Sequence, residues 1–230
     1  MAELIIPKHI GYIVDGNRRW AKKHGIPTYE GHLAGYNTLH EVVKETFDAG
    51  VDYVSVYVFS TENWKRSEEE VGKLMGLVLK MLTADLHIFD DNNIKLKILG
   101  SRESLNERIL NAIENAEERT ANNTAGTLAV CFNYGGQLEI VDAVKKIVRS
   151  GVSLDDITSE LIDENLYAPE VPSVDLLVRT SGERRLSNFM LWRSAYSEIM
   201  FIDKLWPDMS KDDVKNIIEE FSKRSRRFGE

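Results

Sequence analysis

The chain has 230 residues, 43% hydrophobic and 29% charged, which suits a soluble globular protein and excludes a disordered or fibrous one. Acidic side chains outnumber basic ones 37 to 29, a formal charge of -8, so there is no overall basic footprint and no nucleic-acid partner is expected. One cysteine, Cys131, rules out a disulfide framework or a cysteine-built zinc site. Met1–Pro7 does not read as a signal peptide, and no apolar run reaches the roughly 18 residues of a membrane span, so a cytoplasmic protein is expected.

The first apolar run, His9–Val14, lacks clean alternation and reads as a strand covered on both faces. It ends in Asp15-Gly16-Asn17-Arg18-Arg19-Trp20. Gly16 permits a tight turn, a helix starting there would present free N–H groups, and Arg18 and Arg19 could add forked hydrogen bonds to phosphate. Asp15 could hold a hard cation such as Mg²⁺ beside that phosphate. Asp-Gly-Asn is also a common surface turn, and the residues alone leave both readings open. A helix over Gly35–Ala49 leads to a second strand, Val51–Ser60. The polar turn that follows, Ser60-Thr61-Glu62-Asn63-Trp64-Lys65-Arg66, would serve equally as a capped entry to the next helix, whose start is acidic at Glu68–Glu70.

Within that helix, Glu68–Phe89, the stretch from Val71 to Leu86 is apolar around most of its circumference, with Lys73, Lys80 and Asp85 on or near a narrow polar strip. A buried core helix has this pattern, and so does the wall of an apolar cavity or a subunit contact, where Gly72, Met75, Gly76 and Met81 would adapt to a groove. A strand at Ile94–Leu99, a helix at Ser104–Asn122 and a strand at Thr127–Asn133 come next. Helices at Gln137–Arg149 and Asp156–Tyr167 precede a strand at Val174–Arg179, whose end, Arg179–Asn188, is again dense in Arg and hydroxyl groups. A strand at Ile199–Ile202 and a helix at Lys211–Arg226 close the chain. This alternation predicts a single α/β domain with a mostly parallel sheet of about six strands flanked by helices. Ligands bind beyond the carboxyl ends of such strands, so three cation-bearing turns at those ends predict an anion site. There is no P-loop, no G-x-G-x-x-G after the first strand, no H-E-x-x-H and no G-x-S-x-G.

The motifs in chain order resemble the cis-prenyltransferases, the undecaprenyl diphosphate synthase family. His9–Ala21 is similar to its first signature, Gly31-His32-x-x-Gly35 to the second, and Phe59–Trp64 with Arg66 to the third. Asn133–Gly136, Asp175–Phe189, Trp206–Asp208 and the closing Arg227-Phe228-Gly229 complete the set over essentially the whole chain. The double-aspartate motif of the all-helical trans-type prenyl synthases is absent.

The resemblance implies one domain over residues 1–230, a homodimer and a hydrophobic tunnel. It also implies Mg²⁺-dependent condensation of isopentenyl diphosphate onto an allylic diphosphate primer, with membrane contact at most peripheral, through the lipid product. It assigns Asp15 to Mg²⁺ and catalysis, and Glu198 to a second metal ligand near the subunit contact. Gly16, Asn17, Arg18, Arg19, Trp20 and His32 match the primer's diphosphate site, and Ser60 and Asn63 the residues tied to proton removal. Thr61, Glu62, Trp64 and Arg66 match flanking substrate contacts, and Arg179, Arg185, Leu186 and Ser187 the isopentenyl diphosphate site. Some relatives are non-catalytic subunits that have lost the first-motif acid, and Asp15 is present here. One departure stands out: where the family carries an Arg three residues before Gly31, this chain has Thr28.

Overall fold

The computed structural model describes residues 4–224. The expected Arg227-Phe228-Gly229 contribution lies outside the described residues. Six strands pair throughout in parallel, in the order β3-β4-β2-β1-β5-β6. They are β1 (His9–Ile13), β2 (Tyr53–Ser60), β3 (Ile94–Leu99), β4 (Gly126–Tyr134), β5 (Leu176–Arg179) and β6 (Glu198–Phe201). The helices are α1 (Asn17–Lys23), α2 (Thr28–Asp48), α3 (Glu68–Leu82), α4 (Leu86–Asp91), α5 (Glu107–Arg119), α6 (Gly136–Ser150), α7 (Ser159–Asn165) and α8 (Lys211–Ser222). The strands lack alternation because both faces of the sheet are covered. Ile10, Tyr12, Val54, Val56, Leu96, Val130 and Val178 meet α2, α3, α5 and α8 in the larger core. Leu99, Ala129, Cys131 and Leu177 lie under Val171, Val174, Phe189 and Met190.

Three helices differ from expectation, each for a local reason. α2 starts at Thr28 rather than Gly35, behind Pro27, which has no N–H to lose at a helix start. Gly31 and Gly35 therefore sit one turn apart inside a helix, where α1 presses on it. A Cβ on Gly31 would stand 2.2 Å from the Asn17 carbonyl oxygen, and one on Gly35 would stand 2.1 Å from Asn17 Oδ1. Glu68–Phe89 is two helices, α3 and α4, because Thr83 leaves helical geometry and Asp85 is held by Tyr36 Oη, which donates to it at 2.6 Å. Asp156–Tyr167 shortens to α7, which Thr158 caps by accepting from the Leu161 N–H. Among the described residues no helix is long and apolar enough to cross a membrane.

Candidate active site

Strands β2, β1 and β5 lie side by side, so the turns leaving their carboxyl ends meet. Asp15 follows β1, and Arg179 is the last residue of β5. The Arg179 side chain is only 4% exposed. Its Nη2 donates to Asp15 Oδ2 at 2.9 Å, and its Nη1 donates to Ser187 Oγ at 2.7 Å and to the Arg185 carbonyl at 2.6 Å. One guanidinium thus joins the first turn to the fifth, in a charge-assisted geometry. Arg19 stands 3.7 Å from Asp15 and 3.4 Å from Glu183, and it donates to the Ser181 carbonyl and hydroxyl. Gly16 holds φ at 111° against Leu205, where a side chain would be both strained and crowded.

The turn after β2 is a 3₁₀ segment, Thr61–Lys65, closed as a capping box between Ser60 and Asn63. Asn63 Oδ1 accepts from the Ser60 N–H at 3.1 Å, which fixes the amide at the strand end. His32 is buried on α2, and burial lowers its proton affinity while Glu70, bonded to Nε2 at 3.2 Å, partly opposes this.

A recess of about 570 Å³ is lined by Asp15, Asn17, His32, Ser60, Glu62, Asn63, Arg66, Arg179, Ser187 and Asn188. A second, of about 260 Å³, adds Gly16, Arg18 and Arg19 around Asp15, Asn17, His32 and Arg66. An apolar cavity of about 60 Å³ adjoins the first and shares Val14, Asn17, His32, Val58 and Leu74 with it. Its walls are Tyr36 and Leu39 from α2, and Leu74, Leu77, Val78 and Met81 from α3. Of the groove residues read from the sequence on this helix, Met81 lines the cavity, whereas the two glycines do not. Gly72 and Gly76 are exposed, and a Cβ on either would meet nothing within 4 Å.

The remaining sequence candidates lie outside these recesses. Trp20 Nε1 donates to Asp208 at 2.7 Å, and its ring lies against His24. Thr61 sits beside Gly135, and Trp64 Nε1 donates to Asn133 Oδ1 at 2.8 Å. Arg185 turns its guanidinium to Glu183 at 2.5 Å, so its carbonyl, not its charge, faces Arg179. Leu186 packs against the smaller core. Glu198 opens β6 opposite Leu176, which itself pairs with Ile10, so it lies toward the amino ends of the strands while Asp15 lies past the carboxyl end of β1. It is paired with Arg224 at 3.0 Å. Thr28 is exposed on a separate rim recess beside Glu69, Glu70 and Lys73.

Sequence reasoning passed over two residues of the site. Asn188 lines the main recess and donates to Glu62 Oε1 at 3.0 Å. Glu70 binds both Arg66 and His32. The only signal for Glu70 was its spacing of four from Arg66, which favours an ion pair on a helix, and Glu68 and Glu69 masked it.

Asp15 offers one hard oxygen ligand at the mouth of a cation-lined recess, which fits the way Mg²⁺ is usually held, by one or two carboxylates together with phosphate oxygens and water. Among the described residues no group of three or more His, Cys, Asp or Glu side chains could cage a metal unaided. The donor set therefore fits a cation shared with a phosphorylated substrate.

The Prenyltransf family model, described as undecaprenyl diphosphate synthase, matches residues 13–229. An isoprenyl transferase of Thermotoga maritima is 46% identical over 227 residues, 97% of each chain. One from Neisseria meningitidis serogroup B is 47% identical over 224 residues, covering 97% of this chain and 90% of the relative. The crystal structure of lavandulyl diphosphate synthase from Lavandula x intermedia, in complex with dimethylallyl diphosphate, matches with a TM-score of 0.93 at 31% identity, over 98% of this chain and 99% of that one. On sequence, fold and the recess beyond β1, β2 and β5, this chain belongs to the undecaprenyl diphosphate synthase family of prenyltransferases.

Proposed function

We propose that this prenyltransferase condenses isopentenyl diphosphate units onto an allylic diphosphate primer, with each new double bond cis, to give a polyprenyl diphosphate. The observation that carries the reading is the shared wall between a cation-lined recess and an apolar cavity, with His32, Asn17 and Leu74 at the junction. A substrate with a diphosphate head and an isoprenoid tail needs that junction. Loss of the primer's diphosphate leaves an allylic cation and builds negative charge on the departing group. Arg18, Arg19 and Arg66 surround the smaller recess and stabilise that charge, each donor contributing on the order of a few kcal/mol. Arg179, held by Asp15, Ser187 and the Arg185 carbonyl, is fixed in place to receive the second diphosphate. Ser60 and Asn63 line the same recess, and to them this reading assigns the removal of the condensing unit's proton. Mg²⁺ on Asp15 would further neutralise the leaving diphosphate.

We also propose a homodimer, with Glu198 completing a site only across the subunit contact. Val141, Val144 and Val148 form an exposed apolar stripe on α6, and Tyr196, Ile199 and Phe201 are exposed on or beside the edge strand β6. Such surfaces favour a protein partner.

Incubation of the purified protein with Mg²⁺, labelled isopentenyl diphosphate and farnesyl diphosphate tests the reaction. Elongated lipid with cis double bonds is expected, and phosphate release without elongation would refute it. Light scattering after gel filtration tests the dimer.

A further inference from the structure

The first turn of α3 carries three successive glutamates in unlike surroundings. Glu69 is 78% exposed and pairs with Lys73 at 2.6 Å. Glu70 is 16% exposed and turned inward. Its Oε1 accepts from Arg66 Nη1 at 2.9 Å and from His32 Nε2 at 3.2 Å, and it lies 4.0 Å from Arg18 Nε. These donors come from the exit of the 3₁₀ turn, from α2 and from α1. All three line the recess of about 260 Å³ beside Asp15, whereas Glu70 lines the neighbouring one that holds Thr28. A single carboxylate oxygen from outside the recess is therefore the focus of three of its anion-binding groups. Burial pushes the Glu70 carboxyl up, but the charges of Arg66 and Arg18 and the His32 hydrogen bond more than offset it and hold it below the usual carboxylate range.

We propose that Glu70 is a stand-in anion, a positioning residue that gathers Arg18, His32 and Arg66 around one carboxylate and competes with a diphosphate for them. The inference rests on the prenyltransferase reading above, because that reading makes the incoming anion a diphosphate. A diphosphate brings more charge and more acceptor oxygens than a carboxylate, so it can draw the guanidinium groups away. Until it arrives, Glu70 keeps three side chains from three elements convergent, which lowers the ordering cost of binding.

The two effects separate by substitution. Glu70→Gln keeps an acceptor oxygen, and with it the convergence, but deletes the competing charge. Glu70→Ala deletes both. Inorganic pyrophosphate, titrated calorimetrically into the whole protein, reads the site without turnover. Glu70→Gln should bind it about threefold to tenfold more tightly than the native protein. Glu70→Ala should bind it less tightly than Glu70→Gln, and pyrophosphate inhibition of elongation should strengthen in Glu70→Gln by the same factor as the affinity. A folded Glu70→Gln protein that binds pyrophosphate no more tightly than the native one overturns the inference. Should Glu70→Gln fail to fold, Glu70→Asp, which draws the charge back by one methylene, must show tightening in its place, and unchanged or weaker binding overturns the inference equally. If the native protein binds no pyrophosphate, the diphosphate site itself falls and this inference with it. Normal native binding without tightening refutes the stand-in role alone.

Discussion

The Asp15 carboxylate and the Arg179 guanidinium meet at 2.9 Å across the carboxyl ends of β1 and β5, with Arg179 almost completely buried. Asp15 thus has two duties. It lines the recess, where on the proposed reading it would serve as an oxygen ligand, and it balances a buried cation that also contacts Ser187 and the Arg185 carbonyl.

Those duties respond differently to substitution. Asp15→Ala leaves Arg179 without its anion and should cost about 1–3 kcal/mol of stability, measured by denaturant unfolding. Asp15→Asn keeps an acceptor for Arg179 and should recover much of that loss. Both variants should lose at least tenfold in turnover, about 1.4 kcal/mol of barrier. An Asp15→Asn enzyme as active as the native one would show that Asp15 serves only to hold Arg179.

A second expectation concerns acid. His9 is fully buried in β1, and burial pushes its pKa down to about 4. The neutral ring fits both contacts: Nδ1–H donates to the Pro172 carbonyl at 2.9 Å, and Nε2 accepts from the Ser55 hydroxyl at 2.7 Å. The folded pKa lies below the unfolded value of 6.5, so the unfolded chain takes up the proton first. The stability held by neutral His9 is complete above pH 6.5 and is lost as the pH falls toward 4. Between pH 7 and pH 5 the native protein should lose about 2 kcal/mol more than His9→Gln does, by urea unfolding at each pH. Equal losses would show that His9 does not titrate in that window.

Much of this was legible in the chain. Six apolar runs between helical patterns gave a parallel sheet; Asp15 and Arg179 stood out because they follow or end those runs, and Asn63 and Arg66 because they lie in the turn after the second run and match the family's motif. What the sequence hid depends on which way a side chain points. Glu68, Glu69 and Glu70 are chemically identical in one dimension, and it is the convergence of His32, Arg66 and Arg18 in space that distinguishes the third. Arg185 and Arg179 both belong to one motif, yet the first turns to solvent and the second inward. The helix expected from Gly35 begins at Thr28, and Gly31 and Gly35 lie inside it because they admit a neighbouring helix, a contact between segments that no local pattern shows.

The glycine pair predicts a contrast. A Cβ on Gly31 meets backbone, the Asn17 carbonyl at 2.2 Å, so Gly31→Ala must push α1 off α2 and should destabilise by about 1–3 kcal/mol. A Cβ on Gly35 meets chiefly the Asn17 side chain, which can rotate away, and touches the Trp206 ring only at 3.0 Å, a few tenths of an ångström too close; alanine gains roughly 1 kcal/mol of helix propensity against that. Gly35→Ala should therefore stay near native stability while raising KM for the allylic diphosphate, because Asn17 lines both recesses. Equal melting temperatures for the two variants would contradict this account of the close approach.

The last expectation locates the wall of the apolar cavity. α3 turns Leu74, Leu77, Val78 and Met81 toward it, and Tyr36 and Leu39 of α2 oppose them. If the isoprenoid tail enters this cavity as it lengthens, added volume on that stripe must stop growth early. Val78 is small, buried and on the wall, so Val78→Phe should shorten the product while the first condensations proceed at near-native rate. Overpacking of a core position costs about 1–3 kcal/mol, so the variant should remain folded at 25 °C if the native protein has ordinary stability. Gly76 supplies the control on the same helix. Its Cβ direction opens to empty space, so Gly76→Phe adds the same ring outside the cavity and should leave product length unchanged. Chain length is read by chromatography of the dephosphorylated lipids from parallel reactions. Shortening by Gly76→Phe but not by Val78→Phe would place the growing tail on the other side of α3 and refute the assignment of this cavity.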